Sequence, residues 1–274
     1  MEYTNKYNLP ERVIRVIQGH FKNPKKPEPN RMSVTDLIHE PLIRTLYIEK
    51  WDDIVVDWSD FILPTEGNAL HDRYEMFADE DDDAEHKLED VVDGLILVGK
   101  ADNKREDYIL DVKQIKVYGP QYKLKDWERQ LNTYCWMWRK RGEIINKLLV
   151  DVWYRDFSDS NTFWKNYPKI AYEEISLPVW SYEQQEEYIH DQMQFHIMAS
   201  HQECSEEQKG TRWEIFKSKN KTPTKVKHSE DAAQLWVDKQ DKKDKYIIKK
   251  SEPKFCRYCK SRSVCVYYRK ENKC

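Results

Sequence analysis

The chain has 274 residues, of which 39% are hydrophobic, including 10 Trp and 17 Tyr, and this composition excludes a largely disordered protein. The 46 Lys and Arg nearly balance the 49 Asp and Glu, and the 7 Gly are too few to suggest a Gly-rich phosphate loop. The net charge of −3 does not exclude nucleic acid, because residues 77–90 are acidic and residues 242–270 are basic.

The predicted elements alternate between helices and strands. In chain order they are a helix at 11–21, a Pro-rich connector, a helix starting after Ser33, a helix at 66–77, an acidic loop at 79–85, strands within 91–99 and 108–115 joined by a turn at 100–107, a helix at 124–142, a strand at 147–157, a helix at 181–204 and a helix from Ser229. Ser33 and Asp36 form a capping-box pattern, and Pro41 should kink or split the helix that follows. This order predicts an α/β domain with a small mixed sheet.

Charged residues stand at the ends of the two predicted strands in 91–115. Pairing these strands about a turn near Asp102 places Asp93 opposite Asp111, with Lys113 on the same face as Asp111. Two carboxylates brought together favour a cation between them, and oxygen ligands suit Mg²⁺ or Mn²⁺. The simpler alternative is a pair of solvated carboxylates with a lysine in a surface ion pair.

Three segments together resemble the PD-(D/E)XK nuclease superfamily, in its RecB-type exonuclease branch. DGLILV and YILDVKQI resemble its central hairpin, GNALH at 67–71 resembles its Gly-x-x-x-His element, and QLNTY at 130–134 resembles its Gln-x-x-x-Tyr helix motif. The resemblance implies a restriction-endonuclease-like core, a small mixed sheet flanked by helices, with a C-terminal Cys-cluster segment. It also implies roles for six residues: catalytic Asp93, Asp111 and Lys113, with His71, Asp93 and Asp111 as Mg²⁺ or Mn²⁺ ligands and Gln130 and Tyr134 in contact with the substrate strand.

Asp102 is an alternative to Asp93, because the family pattern also accepts the Gly-x-x-Asp spacing of residues 99–102. Asp93 is preferred, because the predicted hairpin leaves Asp102 at the turn. Glu75 and Glu85 are possible accessory carboxylates, although surface charge explains them as simply.

The C-terminal cysteines Cys256, Cys259 and Cys265 have the spacing C-x2-C-x5-C, which suits zinc or an iron–sulfur cluster. Cys204 is the preferred fourth ligand, with His39 and Cys274 as alternatives, and Cys135 is interpreted as a core thiol. The segment resembles bacteriophage and CRISPR-associated nucleases, which implies a [4Fe–4S] cluster, whereas four cysteines alone equally permit zinc. Surrounding basic residues would form a phosphate-binding rim or a solvated tail: Lys249, Lys250, Lys254, Arg257, Lys260, Arg262, Arg269 and Lys270.

These observations predict a metal-dependent DNA exonuclease acting on linear single- or double-stranded DNA, in phage DNA replication, recombination or degradation. The alternatives are a non-catalytic DNA-binding or assembly subunit on the same fold and a structure-specific endonuclease. We expect a division into 1–32, a nuclease core at 33–180 and a helical extension at 181–274. With no apolar leader and no long apolar run, the sequence predicts a cytoplasmic protein (in the host cell, if phage-encoded) without membrane contact. A homo-oligomer or a replication or recombination partner is compatible with it.

Overall fold

The computed structural model describes residues 1–21, 25–78, 83–84, 86–218, 220–241 and 243–271. Most of the predicted acidic loop at 79–85, and Cys274, lie outside these residues. The chain separates into a core unit, Tyr3–Ile38 with Val56–Met198, and a cysteine unit, Met1–Glu2 with His39–Val55 and Ala199–Cys274. This division differs from the predicted boundaries, because residues 39–55 group with the C-terminal part and residues 181–198 group with the core.

The strands in chain order are β1 (Glu2–Thr4), β2 (Arg31–Ser33), β3 (Val55–Asp57), β4 (Asp83–Ala84), β5 (Lys87–Val92), β6 (Leu95–Lys100), β7 (Asn103–Arg105), β8 (Tyr108–Ile115), β9 (Lys147–Tyr154), β10 (Tyr172–Leu177), β11 (Trp213–Lys217), β12 (Lys225–Lys227) and β13 (Tyr246–Lys250). The α-helices are α1 (Glu11–His20), α2 (Val34–Leu37), α3 (Pro41–Glu49), α4 (Ile62–Met76), α5 (Leu124–Arg139), α6 (Tyr182–Met198), α7 (Glu206–Lys209), α8 (Glu230–Asp238) and α9 (Val266–Glu271).

Two mixed sheets form the core unit. One has the strand order β10-β9-β8-β7-β4, in which β8 and β9 run parallel and the other neighbours antiparallel. The other has the order β2-β6-β5, with β2 parallel and β5 antiparallel to β6. Apolar residues of α5 share one hydrophobic core with alternate residues of β8 and β9, including Leu131, Trp136, Ile109, Leu148 and Val150. The α/β class with small mixed sheets is therefore confirmed.

The predicted hairpin between the two charged strands is wrong. β6 pairs with β5 across a tight turn at Asp93 and Gly94, whose φ values are 49° and 81°. β8 pairs with β7 across a second turn and with β9 on its other side. Asp93 therefore sits in a turn and does not lie opposite Asp111. Asp-Gly is a strong signal for a two-residue hairpin turn, because Gly and Asp accept positive φ more readily than other residues.

Helix boundaries follow the local signals closely. Ser33 caps α2 by accepting a hydrogen bond from Asp36 N at 3.0 Å, and Pro41 begins α3, so the predicted split is confirmed. The helices predicted at 11–21, at 124–142 and from Ser229 are confirmed as α1, α5 and α8. α4 starts at Ile62, earlier than the predicted 66.

The cysteine unit contains strands as well as helices. β12, β11 and β13 form an antiparallel sheet, and α8 packs on it through Ile215, Ala233 and Val237. The helix predicted at 181–204 ends at Met198, so Cys204 lies in the connection to α7 and not at a helix end. In the described part of the chain, no helix combines the length and the apolar character needed to cross a membrane.

Candidate functional site

Asp111 and Lys113 form an ion pair on β8, in which Asp111 is buried and Lys113 is partly exposed. Residues two apart in a strand point to the same face, which places both side chains on the face that carries Ile109 into the core under α5. Asp111 is 2% exposed, and its Oδ2 lies 2.7 Å from Lys113 Nζ. A carboxylate taken out of water needs a compensating charge, and the lysine supplies one.

Asp102 and His71 form a second ion pair beside the first. His71 Nδ1, on α4, lies 3.1 Å from Asp102 Oδ1, and Asp102 Oδ2 accepts the backbone N–H of Val112 at 2.6 Å. β7 pairs with β8 only as far as Leu110, so beyond that point the edge of β8 offers backbone groups to another partner. Asp102 satisfies one of these groups and is held against the strand that carries Asp111.

The four charged groups perturb one another. Burial raises the pKa of Asp111, and the charge of Asp102 acts in the same direction, against that of Lys113. Burial opposes ionisation of Asp102, but the hydrogen bond from His71 and the charge of Lys113 outweigh it and lower the pKa of Asp102. The hydrogen bond to Asp102 raises the pKa of His71. Groups whose pKa values are shifted by burial and by one another in this way are typical of functional sites.

An open cleft of about 570 Å³ gives access to His71 and Asp102. α4 supplies most of its wall, and β6 with its following residues supplies the opposite part. The end of α1 adds His20, whose Nδ1 lies 3.3 Å from Asp72 Oδ2. The lining residues are Gly19, His20, Asn68, His71, Asp72, Glu75, Lys100 and Asp102. The lining is almost entirely polar, unlike that of most small-molecule pockets, which are largely apolar with a few polar groups.

Asp93 is placed with other partners. From the β5–β6 turn its carboxylate lies 3.0 and 3.1 Å from His190 Nδ1, and it also bonds to Gln194. Both partners lie on α6. The structure therefore brings His71, Asp111 and Lys113 together with Asp102, the alternative rejected at the sequence level, and leaves Asp93 in a different interaction. The signal for Asp102 was its spacing after Gly99.

Gln130 and Tyr134 meet on one face of α5, one turn apart. Gln130 Nε2 donates to the Tyr134 hydroxyl at 3.1 Å. Tyr134 is 5% exposed, and its ring packs against Gly99 of β6. Burial, with the charges of Asp111 and Asp102, raises the pKa of Tyr134 above its ordinary value. This electrostatic influence places the pair beside the charged cluster, although the buried ring offers little surface for stacking on a base.

The donor types of the cluster fit a hard divalent cation. Two carboxylates and an imidazole are ligands that Mg²⁺ or Mn²⁺ accepts. In the structure each carboxylate is instead paired with a basic side chain of the cluster, Asp111 with Lys113 and Asp102 with His71. Among the residues that the structure describes, no group of three or more His, Cys, Asp or Glu side chains is arranged so that it could hold a metal ion.

The four predicted cysteine ligands lie in one neighbourhood of the cysteine unit. Burial raises the pKa of Cys204 to about 12, with further contributions from Glu40, Cys259, Cys265 and Cys256. Burial likewise raises the pKa of Cys259. Crowded thiols resist ionisation unless a cation compensates their charge, so the donor chemistry fits zinc or an iron–sulfur cluster. Cys135 is fully buried in the core, as predicted.

Three of the eight cations of the predicted basic rim are paired with carboxylates. Lys250 lies 3.0 Å from Glu206, Lys254 lies 3.7 Å from Glu214, and Arg257 pairs with Glu252. Lys249 and Lys260 lie over the rings of Phe216 and Tyr47 at 5.3 and 4.6 Å. Arg262 and Arg269 donate to backbone carbonyls. The phosphate-binding rim stays a prediction.

Comparison with known proteins adds little. No family model matches the chain, and no curated protein matches it. A solved structure described as the crystal structure of SSO0001 is 20% identical, with a TM-score of 0.45, over 69% of this chain and 86% of that chain. A likeness at this level carries no argument about function.

Proposed function

We propose that this protein is a divalent-metal-dependent deoxyribonuclease. The observation that carries the proposal is that the ion pair Asp111–Lys113 lies beside the ion pair His71–Asp102, and that His71 and Asp102 line a cleft in the core unit. Burial of the Asp111 carboxylate costs free energy even with Lys113 beside it, and groups whose pKa values are perturbed by burial and by a specific charged partner cluster at functional sites. The order of the sequence motifs points to the same activity.

The proposed reaction is phosphodiester hydrolysis. Asp111 and Asp102, with His71, would hold the cation once Lys113 leaves Asp111 and the three side chains close around it; when bound, the cation polarises the scissile phosphate and lowers the pKa of a water molecule. Lys113 then orients the attacking water or balances negative charge on the phosphate. Tyr134, held by Gln130, limits the access of water to the buried side of the cluster.

The proposed substrate is linear DNA, processed from an end. This part of the proposal rests on the resemblance of residues 130–134 to the helix motif of end-processing nucleases. The alternative, a DNA-binding subunit without catalysis, would require that the charged cluster be structural only. If the protein binds DNA but does not cleave it with Mg²⁺, with Mn²⁺ or in EDTA, it is a DNA-binding subunit and not a nuclease.

The test uses end-labelled linear DNA and closed circular DNA with Mg²⁺, Mn²⁺ or EDTA. Wild-type protein should shorten the linear DNA with either metal and leave it intact in EDTA. Asp111→Asn keeps the side-chain volume and should reduce activity at least about a hundredfold, because the carboxylate charge is lost. Glu187→Gln, an exposed change on α6, should act like wild type. Activity in EDTA, or full activity of Asp111→Asn, would refute the proposal.

We further propose that Cys204, Cys256, Cys259 and Cys265 bind one structural metal centre, a [4Fe–4S] cluster or zinc. Its support is the mutual electrostatic influence of these thiols and their partial burial. The centre would stabilise the cysteine unit and take no part in hydrolysis. His39 is the alternative fourth ligand, and Cys274 lies outside the described residues.

A further inference from the structure

Two neighbouring aromatic side chains project from the loop between β9 and β10. Phe163 is 73% exposed and Trp164 is 59% exposed, and their rings lie 5.0 Å apart at an interplanar angle of 32°. Side chains of this size usually bury their apolar surface. We propose that this pair is a stacking platform for the bases of a single-stranded nucleic acid. This inference rests on the proposed function, because it names the form of the substrate strand.

The platform is held in place before any ligand arrives. Four backbone hydrogen bonds shape the loop: Asn161 N to Ser158 O, Thr162 N to Asp159 O, Trp164 N to Asn161 O and Tyr167 N to Trp164 O. Tyr167 is buried in the main core and receives a hydrogen bond from Ser158 N at 2.8 Å. A pre-ordered loop loses less conformational entropy on binding, which favours a recognition role.

The loop follows the C-terminal end of β9, which lies beside the C-terminal end of β8, the strand that carries Asp111 and Lys113. β8 and β9 are parallel and end together, at Ile115 and Tyr154. Arg155 N donates to Ile115 O at 3.1 Å, and Val117 N donates to Asp156 Oδ1 at 2.7 Å. Lys113 lies two residues before the end of β8, about 7 Å along the strand. In open α/β sheets, ligands bind beyond the carboxyl ends of the strands.

Charge favours a polyanion over an apolar protein partner. Three exposed cations stand in the same loop as the aromatic pair, Arg155, Lys165 and Lys169, and Lys116 follows the end of the neighbouring strand β8. The loop has two carboxylates, Asp156, which accepts the Val117 amide, and Asp159, so its net charge is positive. Exposed aromatic rings among cations are the arrangement by which proteins bind single strands without sequence preference, since every base has a face to stack.

The test measures binding in EDTA, where no turnover occurs. The probes are a fluorescently labelled short oligothymidylate and the same sugar–phosphate chain without bases, followed by anisotropy. Wild type should bind the oligothymidylate more tightly than the chain without bases. The double variant Phe163→Ala/Trp164→Ala should bind the oligothymidylate about tenfold or more weakly, and should no longer distinguish the two probes. Trp164→Phe should retain most of the affinity, and Tyr7→Ala, at an equally exposed aromatic, should bind like wild type.

Equal affinity of wild type and the double variant for oligothymidylate would overturn the inference. So would equal affinity of wild type for both probes, because binding would then be electrostatic alone. A change in self-association of the double variant, without a change in oligothymidylate affinity, would assign the surface to a second copy of the chain. Failure of the proposed function gives a different pattern: no cleavage with any metal, while the binding difference in EDTA persists.

Discussion

Asp102 links the backbone of the sheet to the chemistry of the cluster. One of its oxygens completes the hydrogen bonding of β8 at Val112, and the other holds His71. A carboxylate fixed by two partners is positioned within a narrow range, which is what a ligand or catalytic group requires. Asp93, by contrast, sits in a turn and faces His190.

We therefore expect Asp102→Asn to reduce nuclease activity at least about a hundredfold, and Asp93→Asn to retain most of it. The comparison is made with linear DNA and Mn²⁺ at matched protein stability. A large loss in Asp93→Asn together with normal activity of Asp102→Asn would restore the assignment made from the sequence.

Asp57 is a structural carboxylate whose role should depend on pH. It accepts hydrogen bonds from Thr4 Oγ1 and Lys6 N at 2.8 Å and from Ser59 N and Oγ at 3.1 and 2.6 Å. Although burial opposes ionisation, these bonds lower the pKa of Asp57 well below its usual range. Because the folded pKa is below the unfolded value of about 3.9, the stabilisation is present above that pH and is lost as the pH falls.

Asp57→Ala should accordingly lower the free energy of unfolding by about 1–3 kcal/mol at neutral pH. The difference from wild type should shrink below about pH 4, where Asp57 begins to be protonated in the unfolded chain. Urea denaturation across the pH range measures it, with Asp159→Ala as an exposed control. If the difference in the free energy of unfolding does not depend on pH, the ionised carboxylate of Asp57 does not stabilise the folded protein.

At the scale of elements, the packing of α5 on β6 decides where the cluster can form. A methyl group added at Gly99 would lie 2.6 Å from Met137 Sδ and 3.1 Å from Cδ1 of Tyr134, whereas one added at Gly67 of α4 meets nothing within 4 Å. Gly99 thus permits the close approach that brings Tyr134 beside the charged residues, and Gly67 has no such function.

Gly99→Ala should lower the free energy of unfolding by about 1–3 kcal/mol, because the core cannot absorb the added volume without moving. Gly67→Ala should raise it by about 0.5–1 kcal/mol, because alanine favours the helix. Thermal denaturation of both variants gives the comparison. Equal stability of the two would mean that α5 shifts freely against β6.

At the scale of the whole molecule, the cysteine unit is assembled from distant parts of the sequence. Ser261 Oγ donates to Ile43 O at 2.7 Å, and Val55 N donates to Ser263 Oγ at 3.0 Å, so the C-terminal cysteine segment is fixed to residues 39–55. A metal bound by Cys204 and the C-terminal trio would close a further loop of the chain. Restricting the unfolded chain in this way is worth about 4 kcal/mol, by analogy with a disulfide.

Replacing any one of Cys204, Cys256, Cys259 and Cys265 by Ser should therefore remove the metal and lower the melting temperature. Cys135→Ser should keep the metal. Elemental analysis of anaerobically purified protein measures iron and zinc, and brown protein indicates the iron–sulfur cluster. If Cys204→Ser retains the metal and His39→Ala loses it, the fourth ligand is His39 and not Cys204.

The sequence by itself determined what depends on neighbours in the chain. Local hydrogen bonding and strand periodicity account for the Ser33 cap, the starts of α3 at Pro41 and of α5 at Leu124, and the common face of Asp111 and Lys113. Tertiary structure decided which strands pair, because a two-residue turn at Asp93 and Gly94 pairs β6 with β5, in a different sheet from β8. That pairing puts Asp102, and not Asp93, beside Asp111. It also joins residues 39–55 to the cysteine segment, an association that rests on contacts between residues some 200 positions apart in the sequence.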